Sequence, residues 1–175
     1  QNPALEMLLT RAAALNSSME RITNKLNTSR GRNFNMRAGD LGRQLSLASM
    51  LIAAGIDPLV LKVKIDGFDT HEDQPWRHQR LLEDLGRAMS GFAQQMRKIG
   101  QWDNTLVLTY SEFGRRAVEN STHGTDHGTA APHFLAGGSI NGGIYGRHPS
   151  LSRLVDGDMQ FTMDYRSVYD WILSQ

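Results

Sequence analysis

One pattern narrows the fold of this chain more than any other: an apolar run, a long amphipathic stretch and a second apolar run. Residues 58–65 read PLVLKVKI, with the β-branched, apolar core expected of a strand in a covered sheet. In residues 76–100, Leu81, Leu82, Leu85, Met89, Phe92, Met96 and Ile99 recur three and four apart, which predicts a helix. Residues 105–109 (TLVLT) read as a second buried-type strand. Strands separated by a helix imply a crossover unit and a parallel sheet.

The remaining segments extend this scheme. Residues 4–26 are predicted helical, with Leu5, Leu8, Leu9, Ala12 and Leu15 on one stripe, and residues 27–39 (NTSRGRNFNMRAG) read as a loop. Asp40 is expected to cap a helix to about Ala54, where Leu41, Leu45, Ala48 and Ile52 repeat at helical spacing and Gly55 is a natural stop. Residues 66–75 and 111–131 read as polar loops, 132–136 as a short third strand, and 137–157 as Gly-rich and irregular. Asp164 is expected to cap a last helix through Val168, Trp171 and Ile172. The expected architecture is α/β, a single domain over residues 1–175, with a mainly parallel sheet covered by helices on both faces. Three strands make a small sheet, and Gln1 is not an initiator end. The chain is therefore expected to be incomplete at its N-terminus, the C-terminal portion of a larger domain.

Composition excludes several classes. Hydrophobic residues are 39% and charged residues 21% of the 175, so a sizeable core can form. Lys and Arg total 19 against 18 Asp and Glu, a net charge of +1, which argues against nucleic-acid binding by bulk charge. The absence of cysteine removes disulfides, thiolate zinc sites and thiol nucleophiles. The longest nearly apolar run, residues 45–56, is broken by Ser46 and Ser49 and is too short to span a bilayer.

Chemistry-bearing residues gather at the expected strand ends. Asp66-Gly-Phe-Asp69-Thr-His71-Glu-Asp73 follows the first strand, Ser111-Glu112-Phe-Gly-Arg115-Arg116 the second, and His123-Gly-Thr-Asp126-His127-Gly128 precedes the third. In open α/β sheets ligands collect beyond the carboxyl ends of the strands. Imidazole and carboxylate donors without thiolate suit Zn²⁺, Mn²⁺ or Fe, while Mg²⁺ and Ca²⁺ favour more oxygen. Asp69 and His71 stand two apart, so an extended backbone can point both the same way. Asp126 and His127 are adjacent and should diverge, serving different ions or leaving one to orient the other's ligand. Glu112 would complete the set, and Arg115 or Arg116 could fork onto a phosphate or sulfate. Read blandly, each segment is a solvated turn, and Asp-Gly and Asp-His-Gly are turn formers. His78 and His148 read as structural and His133 as ambiguous. The pairs Gly137-Gly138 and Gly142-Gly143 read as turns, because no Lys-Ser/Thr or helix start follows them. Arg21, Lys25, Arg30, Arg32, Arg37 and Arg43 form a basic stretch that reads as a solvated face, with binding to an anionic polymer as its alternative.

Four segments in order, Gly67-Phe-Asp-Thr-His71, Ser111-Glu-Phe-Gly-Arg115, Gly124-Thr-Asp-His-Gly128 and Asp164-Tyr-Arg-Ser-Val-Tyr169, resemble the signatures of the DUF1501 proteins. These are similar to the alkaline phosphatase and sulfatase superfamily, and the resemblance runs from about Asp40 to the end. It implies an alkaline phosphatase-like fold and a metal-dependent hydrolase acting on phosphate or sulfate esters. It also implies one or two divalent ions (Zn, Mn, Mg or Ca) held by residues drawn from Asp69, His71, Glu112 and His127. Asp126 and His123 would complete or orient that shell, and Arg115 would steady the anion. Two alignments compete for Asp126-His127-Gly128. The preferred one gives the strand-end position to Glu112 and makes His127 the later histidine before the next strand. The resemblance places the nucleophile upstream of this chain and the parent protein in the periplasm or outside the cell. The implied partner is a small anionic ester or a sulfated or phosphorylated polymer. The competing expectation is a non-catalytic binding module for an anionic partner, with a structural metal or none.

Overall fold

The computed structural model describes residues 3–28, 36 and 38–174. Arg30, Arg32 and Arg37 of the basic stretch lie outside the described residues. Four helices and four short strands follow in the order α1 (Pro3–Thr28), α2 (Gly39–Ala53), α3 (Gln74–Lys98), β1 (Leu106–Leu108), β2 (Gly114–Glu119), β3 (Thr125–Gly128), β4 (Leu135–Gly137) and α4 (Tyr165–Leu173). The chain divides into two compact units, residues 1–65 with 84–100 and residues 66–83 with 101–175.

In the first unit the helices follow their periodicity. α1 spans 26 residues and buries none of its described side chains. α2 buries Leu41, Leu45, Ala48 and Ser49, and Met36 and Ala38 just before it are buried as well. Its start differs from expectation. Ala38, not Asp40, occupies the cap position without a side-chain bond, and Asp40 sits inside the first turn paired with Arg43. A carboxylate there still favours the positive end of the helix. Its stop is the expected one. Gly55 is left-handed at φ +72°, its N–H donates to the Ile52 carbonyl, and the Ile56 N–H donates to that of Leu51. These are the two bonds of a Schellman motif. The later part of α3 buries Ala88, Phe92, Ala93 and Met96.

The expected strand at 58–65 is absent. Leu59 is fully exposed and Val60 is 80% exposed. No backbone ladder forms here. Instead the Gln44 side chain answers one residue, its Nε2 donating to the Lys64 carbonyl at 2.8 Å while its Oε1 accepts from the Lys64 N–H at 2.9 Å. An amide side chain can satisfy one residue in this way but cannot propagate a sheet.

In the second unit β1 pairs antiparallel with β4, with Leu106 opposite Gly137 and Leu108 opposite Leu135. β2 pairs antiparallel with β3, with Gly114 opposite Gly128 and Arg115 opposite His127. A mainly parallel sheet flanked by helices is therefore the wrong description. The described residues form four helices and two separate two-stranded antiparallel sheets. The physical reason lies between β1 and β4. A parallel return needs a crossover, usually helical, and this stretch instead folds into the β2–β3 hairpin. That hairpin occupies the region expected to be an irregular loop, residues 111–131. Gly114 and Gly128 allow it, since a side chain at Gly114 would strike the Ala130 backbone and one at Gly128 the Arg115 backbone. α4 starts as expected, with the Asp164 carboxylate accepting from the Arg166 N–H at 2.9 Å.

Candidate metal centre

The site is built where residues 66–73 lie on the β2–β3 hairpin, within the second unit. Residues 66–73 have no regular structure of their own, so other groups must satisfy their backbone. The Arg115 guanidinium donates to the Phe68 carbonyl at 2.5 Å and the Thr125 carbonyl at 2.6 Å. The His71 carbonyl accepts from Asn120 Nδ2 at 3.0 Å and Thr122 Oγ1 at 2.6 Å. The Asp73 and Gln74 N–H groups donate to the Thr122 and His123 carbonyls. Thr70 is fully buried and its hydroxyl accepts from Gln74 Nε2, which also donates to Thr125 Oγ1. Gly124 completes the fit, because a Cβ there would fall on the His71 carbonyl and the Glu72 nitrogen.

This docking brings together residues far apart in the chain. Asp69 Oδ1 lies 2.8 Å from His127 Nε2 and 3.0 Å from His71 Nε2. It also accepts from Arg115 Nη2 at 3.2 Å. The donor atoms of Asp69, His71 and His127 all lie within 4.8 Å of one another, and this is the group of three among the described residues that could hold a metal ion. In a tetrahedral site with bonds of about 2.0–2.2 Å, neighbouring ligand atoms stand roughly 3.3–3.6 Å apart. Small side-chain rotations would thus surround an ion, and the two-nitrogen, one-oxygen donor set fits a borderline divalent cation.

The surroundings orient these donors. Asp126 Oδ1 lies 3.3 Å from His71 Nδ1, on the side of the ring away from Asp69. When Nδ1 donates to that carboxylate, the Nε2 lone pair can face a cation, the carboxylate–histidine arrangement common around bound metals. The His127 ring lies on Phe113, with centroids 4.0 Å apart and planes within 6°. Between Arg115 and Glu119 the hairpin register shifts, so Arg116, Ala117 and Val118 of β2 stand against Asp126 alone. Such irregularities re-aim side chains. Here Asp126 and His127, adjacent on β3, both reach residues 66–73, Asp126 at His71 Nδ1 and His127 at Asp69 and the face of the His71 ring.

Electrostatics favour ionised carboxylates. The His127 hydrogen bond outweighs the opposing effect of burial and, with lesser help from the charges of His71, His127 and Arg115, holds Asp69 below the ordinary carboxylate range. The Asn120 hydrogen bond, followed by that from His71, does the same for Asp126. His78 is pushed down by burial and by the nearby Arg115 charge, and it packs edge-on against Phe68.

Other residues named from sequence stand differently. Glu112 is exposed and outside the group of three. His123 sits in the hairpin turn at φ +59°, with Nδ1 2.8 Å from Glu119 Oε1. Arg115 is only 14% exposed at its side chain, and its guanidinium holds two carbonyls and Asp69. Sequence reading passed over Asn120 and Thr122. Only the turn character of Asn120-Ser-Thr-His-Gly124 signalled either of them.

A family model described as a protein of unknown function (DUF1501) matches residues 4–163. The chain belongs to the DUF1501 family. Three of the four resembling segments fall inside the matched region, and the segment at 164–169 begins just beyond it. No curated protein and no solved structure matches this DUF1501 chain. No helix among its described residues is long and apolar enough to cross a membrane.

Proposed function

We propose that this DUF1501 chain carries the metal centre of a metal-dependent hydrolase acting on phosphate or sulfate esters, akin to the alkaline phosphatase and sulfatase superfamily. The observation that most supports this reading is the meeting of Asp69, His71 and His127 around one small volume, with Asp126 behind His71. Those three residues would hold a divalent ion, and their donor set suits Zn²⁺ or Mn²⁺ better than Mg²⁺ or Ca²⁺. A bound ion would supply Lewis acidity toward an anionic ester oxygen.

The chain's own residues have distinct parts. Asp126 fixes the tautomer of His71, and Phe113 sets the plane of His127. Arg115 keeps Asp69 in place and adds positive charge beside the site. The three ligand side chains are about half exposed, which leaves room for a small anionic ester or the end of a sulfated or phosphorylated polymer.

The test is elemental analysis of the purified chain after dialysis against Zn²⁺ or Mn²⁺, with aryl phosphate and aryl sulfate hydrolysis measured on the full gene product, which would carry the nucleophile, with and without chelator. The expected result is about one retained ion per chain and chelator-sensitive hydrolysis. His127→Ala should lower metal affinity by more than about 100-fold while the helical circular dichroism persists. A wild-type chain that retains no metal would overturn the reading. Retained metal without ester hydrolysis would leave a non-catalytic binding module.

A further inference from the structure

We infer that Asn120 is a positioning residue of the metal centre, joining the hairpin turn to the Asp126–His71 pair. The inference rests on the metal-centre reading above and deepens it. The Asn120 side chain works in two halves. Its Oδ1 accepts from the Thr122 N–H at 3.0 Å, the Thr122 hydroxyl at 2.9 Å and the Gly124 N–H at 3.0 Å, which closes the turn. Its Nδ2 donates to the His71 carbonyl at 3.0 Å and to Asp126 Oδ1 at 3.3 Å.

The partners fix the orientation of the amide. Oδ1 faces N–H and hydroxyl donors, and Nδ2 faces a carbonyl and a carboxylate, so a flipped amide would lose these bonds. The Nδ2 half is the one that bears on the metal. It holds the His71 backbone and also the oxygen that contacts His71 Nδ1. One planar group therefore sets both where the imidazole starts and what orients its far nitrogen. A turn-forming asparagine needs only the Oδ1 half.

The two halves can be separated. Asn120→Asp keeps an acceptor for the turn but replaces the Nδ2 donor with an oxygen facing Asp126 and the His71 carbonyl. Asn120→Ala removes both halves. The probe is Co²⁺ alone, read by titration and by its visible absorption. Wild type should bind Co²⁺, and both variants should bind about 10–100-fold more weakly, the usual loss when an outer partner of a ligand is removed. The absorption bands of Asn120→Asp should also shift as His71 reorients. A folded Asn120→Asp with wild-type affinity and spectrum would overturn the inference and reduce Asn120 to a turn former.

A second measurement needs no variant. In wild type, the Asn120 side-chain amide resonances should move on Zn²⁺ addition, because their partner Asp126 contacts a ligand. Amide resonances that stay fixed while zinc binds would overturn the inference as well. Wild type that binds neither Co²⁺ nor Zn²⁺ would overturn the metal-centre reading itself.

Discussion

Residues 58–65 and residues 114–128 make an instructive contrast. The first stretch is rich in Leu, Val and Ile and forms no strand. The second is studded with Arg, Glu, Thr, Asp and His, and it contains an antiparallel ladder. β-propensity measures how well a side chain fits a half-buried pleated surface. A strand also needs a second backbone at the right distance. Residues 58–65 find a glutamine side chain there. Residues 114–128 supply their own partner by turning back, and Asn120, Thr122 and Gly124 close that turn. The polar stretch is then also the one that receives residues 66–73 and assembles the site.

The strongest way to break this contrast is to disturb the hairpin where it meets residues 66–73. Gly124→Ala puts a methyl on the backbone of His71 and Glu72. Backbone cannot yield as a flexible side chain does, so the change should cost roughly 1–3 kcal/mol. It should also weaken metal binding by separating His71 from Asp126 and His127. Chemical denaturation and Co²⁺ titration check the two effects. A variant of unchanged stability would show that the close approach is relaxed in solution.

An intermediate effect should come from acid. Hydrogen bonds from Arg166, by side chain and backbone, lower the Asp164 carboxyl from 3.8 to about 2. Because the folded value lies below the ordinary one, the stabilisation is complete above about pH 4 and is lost as pH falls through about 2. Asp69 and Asp126 are shifted in the same direction, so the hairpin contacts should persist below the pH at which an ordinary carboxylate is protonated. NMR titration of the aspartate carboxyl resonances checks this. A midpoint for Asp164 near the ordinary value would remove the cap from the account of α4.

The smallest effects belong to residues 58–65. Gln44→Ala removes both side-chain bonds to Lys64 and should cost about 0.5–1.5 kcal/mol. Leu59→Ser, at a fully exposed position, should stay within about 0.5 kcal/mol of wild type. Thermal or urea unfolding reads both. A large loss for Leu59→Ser would mean that residues 58–65 are covered in solution.

Much of the helical part was legible because its determinants are local. Gly55 ends α2 by reaching a left-handed conformation that other residues adopt at a cost. Asp164 caps α4 by bonding two residues ahead. α2 was less legible at its start, where Asp40 looked like a cap and the helix began two residues earlier, at Gly39 after Ala38, without a side-chain cap. The sheet was misread because TLVLT and the later apolar run name strands without naming their partners or directions. For the site, the residue types were visible at Asp69, His71 and His127, while Asp126, Glu112 and His123 carried the same chemistry and stand outside the group of three, Asp126 alone of them touching it through His71.

The sequence by itself determined the helical periodicities, the stops and caps, and which donor types stand near one another along the chain. These depend on contacts within about four residues, which a linear reading contains. Only the tertiary structure decided that β1 meets β4 antiparallel, that residues 114–128 form a hairpin, and that Asp69 shares one oxygen among His71, His127 and Arg115. Most of those outcomes depend on contacts between residues well beyond one helical turn in the chain, as far as the 58 positions between Asp69 and His127. Backbone groups that must all be satisfied, and glycines that allow close approach, choose them together.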